Sequence, residues 1–278
     1  MSNMLKVACV QMNAKAQIEP NLKNAEFLIR KAAVKGAKLI ITPENTDRIL
    51  MDVKEKLATA PSTENHPGIP HFAALAKELD IWLVIGSMGI KASETKVANR
   101  THVFSPQGKL VATYDKIHMF DVKLSDKEAY KESESNQAGD KSLVLETELA
   151  NLGLSICYDV RFPHLYRVLA QNGAQILCVP AAFTVPTGKA HWHTLLKARA
   201  IETGCFVLAP AQVGQHHSGR LTYGHSLIIS PWGDIVAELP DGEGIITADL
   251  DLGAVERVRT SIPSLSNDRD YSCEKIKV

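Results

Sequence analysis

Three residues that follow apolar runs, Cys157, Glu44 and Lys116, could together cleave an amide. A neutral thiol is a poor nucleophile, so a carboxylate near it would act as general base and later pass the proton to a departing amine. A lysine ammonium nearby would lower the thiol pKa and donate to the oxyanion of a tetrahedral intermediate. The backbone N–H of Tyr158, the residue after the nucleophile, would be a second donor. The chemistry implied is amide hydrolysis through a thioester.

The elements that must position these groups are legible as hydrophobic patterns. Leu152, Leu154 and Ile156 alternate as a strand does, and Pro163 followed by Leu165, Val168 and Leu169 reads as a helix start. Cys157 is therefore expected at a strand-to-helix turn, where backbone N–H groups and the helix dipole favour a thiolate over a thiol. Glu44 ends a strand at 39–41 that runs into Thr42-Pro43-Glu44, with proline stopping the ladder. That is the strand edge at which open α/β sheets carry their sites. Lys116 follows an antiparallel hairpin, 101–105 and 110–114, closed by Pro106-Gln107-Gly108-Lys109.

The remaining pattern is β-α-β alternation in two comparable halves. Strands are expected at 5–12, 81–88, 143–147, 175–179, 205–211, 224–230, 235–239 and 244–249. Helices are expected after Pro20 up to Gly36 and at 67–79, 163–172, 190–202 and 252–259. Residues 122–142 are polar with little periodicity, and a loop of that length in a compact domain is functional or disordered.

Composition narrows the function. With 278 residues, 45% of them hydrophobic, the chain is expected to form one α/β domain over 1–278. Thirty-one basic residues balance 31 acidic ones, so the charge footprint of a nucleic-acid binder is missing and a small-molecule partner is expected. No apolar stretch of about 18 residues is present and the start does not read as a secretory signal, so no membrane association and a cytoplasmic location are expected. Five cysteines without a CxxC pair indicate neither a disulfide framework nor a zinc site.

Other chemistries lack their signatures. There is no G-x-G-x-x-G after a strand, no P-loop and no G-x-S-x-G elbow, and no cofactor or metal is expected. His191 and His193 are two apart, and on a helix such residues point to different faces, whereas ligands want a spacing of three or four. His216-His217 lies in a polar stretch and is expected to be solvated. No histidine is singled out as a papain-like partner for Cys157.

Read with their flanks, the three residues resemble the nitrilase (carbon–nitrogen hydrolase) superfamily. Thr42-Pro43-Glu44 is similar to its glutamate motif, Tyr114-Asp115-Lys116-Ile117-His118 to its lysine motif, and Ile156-Cys157-Tyr158-Asp159-Val160-Arg161-Phe162-Pro163 to its cysteine motif, in the family's order. The resemblance, from about 6 to 271, implies a four-layer α-β-β-α sandwich with two mixed sheets that pairs into dimers or larger homo-oligomers, the tail from about 260 lying at an interface. It makes Glu44 the general base, Lys116 the oxyanion lysine and Cys157 the nucleophile. Lys131-Glu132-Ser133 matches the segment of the family's second glutamate, which makes Glu132 the candidate to orient Lys116 or the substrate.

Within the superfamily, Ala181-Ala182-Phe183-Thr184, Ala190-His191-Trp192, Arg199-Ala200-Ile201-Glu202-Thr203 and Tyr223-Gly224-His225-Ser226 resemble the Nit branch, on its deaminated glutathione amidase side. That likeness implies hydrolysis of deaminated glutathione to 2-oxoglutarate and cysteinylglycine. The alternatives it leaves are ω-amidase action on 2-oxoglutaramate and N-carbamoyl amino acid hydrolysis. An arginine fork suits a substrate carboxylate, and Arg161, four residues past the nucleophile, is the candidate anchor. Tyr158, Phe183, Thr184 and His118 are the further candidates for substrate contact. Animal members typically carry a proline and a glutamate around Ala-His-Trp where this chain has Lys189 and His193, which leaves specificity the property most open to change.

Overall fold

The computed structural model describes residues 4–126, 128–217 and 219–278. Strands whose every position is apolar must be covered on both faces, and each sheet has a centre of that kind. In the first sheet, Met4–Gln11, Leu39–Ile41 and Trp82–Lys91 run parallel. Gly244–Asp251 pairs antiparallel on one side and Val97–Phe104 then Leu110–Asp115 on the other. The second sheet repeats the plan: Asn151–Leu154, Ile176–Cys178 and Phe206–Ala209 are parallel, flanked by antiparallel Leu143–Glu146 and by Ser226–Ile229 with Ile235–Leu239.

Alternation along the strands assigns the layers. Ala8, Val10, Ile40, Leu83 and Ile85 face the helices Ile18–Val34 and Gly68–Leu79 through Leu22, Leu28, Ile29, Phe72 and Leu75. Val7, Cys9, Leu39, Ile41 and Val84 point the other way, into a core shared with the second sheet. The helices Pro163–Gln171 and His193–Thr203 cover that sheet through Leu165, Leu169, Leu196 and Ala200. Each such aliphatic side chain contributes about 2 kcal/mol of transfer free energy, so a one-residue slip in register is strongly opposed. The result is the expected α-β-β-α sandwich of two mixed sheets.

Two local expectations change. The polar stretch 122–142 carries a short hairpin, Asp121–Lys123 with Ala129–Lys131, then a 3₁₀ turn Glu132–Glu134 and a two-residue strand Asn136–Gln137 beside Val97–Phe104. His216 is not solvated: it is buried, with Nδ1 3.0 Å from the Ala14 carbonyl and Nε2 2.7 Å from Thr222 Oγ1. His217, beside it, is exposed.

Candidate active site

Glu44, Cys157 and Ala182 each follow a central parallel strand, and Lys116 follows the edge strand Leu110–Asp115, so the sheet architecture delivers them to one edge. The loop holding Glu44 is built by local hydrogen bonds. Thr46 Oγ1 donates to the Pro43 carbonyl at 2.7 Å, and Gln212 Nε2 donates to the Glu44 carbonyl at 2.9 Å. Cys157 opens a 3₁₀ turn, Cys157–Arg161, with φ of 50°, a left-handed conformation that bulky residues avoid. Its N–H donates to the Pro180 carbonyl at 2.9 Å, which ties the bend to the next strand's end. The first N–H groups of such a turn have no acceptor within it, and that of Tyr158 is among them.

The three side chains meet. Lys116 Nζ donates to Glu44 Oε1 at 3.1 Å and to Glu132 Oε1 and Oε2 at 3.0 and 2.8 Å. Asn99 Nδ2 donates to Glu44 Oε1 at 2.8 Å and the Ala182 N–H to Oε2 at 2.9 Å, while the Cys157 thiol faces the same carboxylate closely enough to lower its pKa. Glu132 is itself held by the Phe120 N–H, 2.7 Å from Oε2, and by Asn136 Nδ2, 3.3 Å from Oε1.

Electrostatics set the resting protonation. Burial works against the Glu44 carboxylate, but the Lys116 ammonium, the Cys157 thiol, Arg220 and Asn99 outweigh it and hold its pKa below the usual carboxylate range. Burial would likewise neutralise Lys116, yet the carboxylates of Glu132 and Glu44 keep it cationic with a raised pKa. Cys157 goes the other way. Burial and then the Glu44 charge push its thiol well up, against a smaller pull from Lys116 and the Ala182 N–H. The expectation that the turn favours a thiolate is therefore corrected: desolvation and a facing carboxylate outweigh the turn and the lysine. The resting group is a thiol facing an ionised carboxylate.

A cavity of about 290 Å³ opens over these groups, lined by Glu44, Lys116, Glu132 and Cys157 and, among the other expected residues, by Tyr158, Phe183 and Thr184. Two expected substrate contacts lie outside that lining. Arg161 places its guanidinium 5.8 Å from the Tyr158 ring centre and 5.5 Å from that of Phe183, with Nη2 3.2 Å from His191 Nδ1. His118 stacks on Phe162 with ring centres 3.5 Å apart, and its Nδ1 donates to the buried Asp159 at 2.7 Å. Cations that do line the cavity include Arg220, Arg48 and Lys131. Arg220 Nη2 donates to the Ala182 carbonyl at 2.7 Å and its guanidinium lies 5.4 Å from the Tyr130 ring centre. Asn99 and Arg220 were not foreseen. Asn99 could have been suspected as an amide inside the strand Val97–Phe104, whereas nothing near Arg220 marks it.

Known proteins are similar to the whole chain. A family model described as carbon–nitrogen hydrolase matches residues 6–260. The deaminated glutathione amidase of Synechocystis sp. is 41% identical over 266 residues, covering 94% of this chain and 96% of that one. The human deaminated glutathione amidase is 37% identical over 268 residues, covering 95% and 82%. Among solved structures, the Caenorhabditis elegans NitFhit protein superposes with a TM-score of 0.90 at 35% identity, over 96% of this chain and 66% of that one. Saccharomyces cerevisiae Nit3, described as a member of branch 10 of the nitrilase superfamily, gives 0.84 at 31% identity over 94% of each. With its fold, its motifs in order and relatives along nearly its full length, the chain belongs to the carbon–nitrogen hydrolase family and is a hydrolase acting on amides.

Proposed function

We propose that this enzyme hydrolyses deaminated glutathione to 2-oxoglutarate and cysteinylglycine, with Cys157 as nucleophile, Glu44 as general base and acid, Lys116 as oxyanion donor and Glu132 as the residue that positions Lys116. The observation that supports it best is the Glu44 carboxylate that holds the buried Lys116 ammonium at 3.1 Å and faces the Cys157 thiol, in a chain similar to relatives bearing that activity as their name.

The geometry supports the following steps. As Sγ attacks the amide carbon, its proton passes to Glu44, whose low pKa keeps it ionised before attack. Negative charge that gathers on the amide oxygen is met by Lys116 Nζ, which is buried from water, and by the Tyr158 N–H. Glu44 then gives its proton to the departing amine, leaving a thioester on Cys157. Water entering the vacated space loses a proton to Glu44 as it attacks the thioester carbon, and collapse frees the carboxylic acid and restores the thiol.

The substrate carries carboxylates, and the cations lining the cavity suit them. Arg220 is the anchor we favour, because its fork lies at the wall formed by Ala182, beside the reacting groups. Arg161 then acts at one remove, backing the Tyr158 and Phe183 rings. We further propose a homodimer or larger assembly in a reducing compartment such as the cytoplasm. All five cysteines are free thiols, and Val168, Ile201, Trp232 and Ile262 leave large apolar side chains on the surface. No helix among the described residues is long and apolar enough to cross a membrane.

The test is turnover of purified protein on deaminated glutathione, 2-oxoglutaramate and N-carbamoyl amino acids side by side. The first should have the highest kcat/KM by at least about tenfold, a difference of about 1.4 kcal/mol in transition-state binding. A higher value on either rival would replace the substrate named here.

A further inference from the structure

His193, His225 and Glu238 converge outside the cavity, on the side of the second sheet covered by the helix His193–Thr203. His193 Nε2 lies 3.0 Å and His225 Nδ1 2.6 Å from the same oxygen, Glu238 Oε1, and all three candidate ligand atoms lie within 4.8 Å of one another. The three residues come from separate elements. His193 begins its helix just after a short π-helical turn, Gly188–Trp192. His225 precedes the strand Ser226–Ile229, and Glu238 belongs to the neighbouring strand Ile235–Leu239.

Their positions are held by more than their own contacts. His225 has φ of 55°, in the left-handed region, and its carbonyl accepts from Trp192 Nε1 at 2.8 Å. The Tyr223 ring stacks on the His225 imidazole with centres 4.1 Å apart, and the two imidazole centres are 5.3 Å apart at 73°. The side chains are 23 to 31% exposed, so an ion from solvent can reach them. His191, two residues before His193, points to Arg161 instead.

We propose that His193, His225 and Glu238 form a binding site for a divalent transition metal of the zinc type, which clamps the helix His193–Thr203 to the outer strands of the second sheet. Two imidazoles and one carboxylate are the donor set that such metals take in tetrahedral sites, with water in the fourth position. The same set disfavours calcium and magnesium, which prefer oxygen alone. Tetrahedral bonds of about 2.0 to 2.1 Å place neighbouring ligand atoms about 3.3 Å apart, so the hydrogen-bonded atoms, now 3.0 and 2.6 Å from Glu238 Oε1, must open slightly to admit the ion. Without metal, His193 Nε2–H and His225 Nδ1–H donate to the carboxylate. On binding, the two imidazole nitrogens and the carboxylate oxygen turn their lone pairs to the ion.

The experiment is equilibrium dialysis of zinc against chelator-treated protein at pH 7.5, in a Cys157→Ala, Cys273→Ser background so that neither the active-site nor the exposed thiol binds the ion. About one equivalent per chain should be retained. His193→Asn and Glu238→Gln should each weaken binding by more than about tenfold, while His191→Asn leaves it unchanged. Cobalt in place of zinc should give the visible absorption of a tetrahedral site in the background protein and lose it in Glu238→Gln. Absence of retained zinc, zinc held as tightly in both variants, or cobalt with only the spectrum of the hydrated ion would each overturn the site. Circular dichroism of the variants separates loss of a ligand from loss of the fold.

Discussion

The Lys116 ammonium and the Glu44 carboxylate meet at 3.1 Å with only 2% and 4% of their side chains exposed. Removing one partner of such a pair leaves a charge buried alone, which costs about 3 to 5 kcal/mol. Lys116→Ala strands two carboxylates, Glu44 and Glu132, and should lower both the unfolding midpoint in urea and turnover. Glu44→Gln keeps the volume and leaves Lys116 its contacts with Glu132, so it should fold nearly as well as the parent. Loss of the proposed base should still cut kcat by about 10² to 10⁴. Steady-state kinetics beside urea unfolding check both, and near-normal turnover in Glu44→Gln would refute its assigned role.

The resting protonation predicts a pH profile. In the proposed mechanism Glu44 must be ionised to accept the thiol proton, and its pKa lies below the usual carboxylate range, so activity should fall only when pH drops through that depressed value. Cys157 starts as a thiol with a raised pKa and Lys116 stays cationic with a raised one, so neither introduces a limb near neutrality. The kcat/KM should therefore stay flat from about pH 6 to about pH 8.5. A thiolate–imidazolium enzyme would instead lose activity as its histidine titrates. A bell centred near pH 7 would show that another group carries the proton.

Asp159 is the buried support of the nucleophile turn. Its Oδ2 accepts from Tyr114 Oη and the Ile156 N–H, both at 2.8 Å, and its Oδ1 from the His118 N–H at 3.0 Å and from His118 Nδ1 at 2.7 Å. Asp159→Ala would leave several buried donors unsatisfied at about 1 to 3 kcal/mol each, so soluble yield and kcat should both collapse. His118→Ala removes one of the four bonds and a ring stacked on Phe162, so it should lower stability with little change in KM. A large rise in KM would return His118 to the substrate.

The strands before Glu44 and Cys157, the hairpin before Lys116 and the two β-α-β halves were legible because their periods and turn residues are visible in one dimension. What joins them was not. Asn99 reaches Glu44 across 55 positions of sequence, through sheet pairing that no local pattern encodes. Arg161 invited the role of anchor because it follows the nucleophile by four residues. In the 3₁₀ turn that forms there, four residues carry it about a third of a turn away from the cysteine's face. His216 was misjudged because its neighbours are polar, while its cover comes from Ala14, 202 positions earlier, and from Thr222.

His102 links stability to mild acid. Burial foremost, then the nearby His66 and Arg100, push its pKa down to about 4, so it is neutral in the fold and protonated in the unfolded chain below the ordinary value of about 6.5. The unfolded state then binds more protons, and stability falls as pH drops from about 6.5 to about 4, by roughly 3 kcal/mol over that window. Urea midpoints should decline across it, and His102→Gln, which cannot be protonated, should flatten that part of the slope. An unchanged slope would assign the effect elsewhere.

Gly86 sets how closely the strand Trp82–Lys91 can approach the glutamate loop. A Cβ there would lie 2.1 Å from the Thr42 carbonyl oxygen, 2.5 Å from the Pro43 carbonyl oxygen and 2.5 Å from the Pro180 side chain, so backbone must move to admit one methyl group. Those contacts flank both arms of the site: Pro43 precedes Glu44, and the Pro180 carbonyl holds the Cys157 N–H. Gly86→Ala should cost about 1 to 3 kcal/mol of stability through overpacking. Because the displaced segments carry the proposed base and the anchor of the proposed nucleophile, kcat should fall by about 10²-fold, the penalty of misplacing reacting groups by about an ångström. Thermal unfolding with kinetics well below the midpoint separates the two effects, and a variant of parental kcat would mean that the loop moves without carrying Glu44 along.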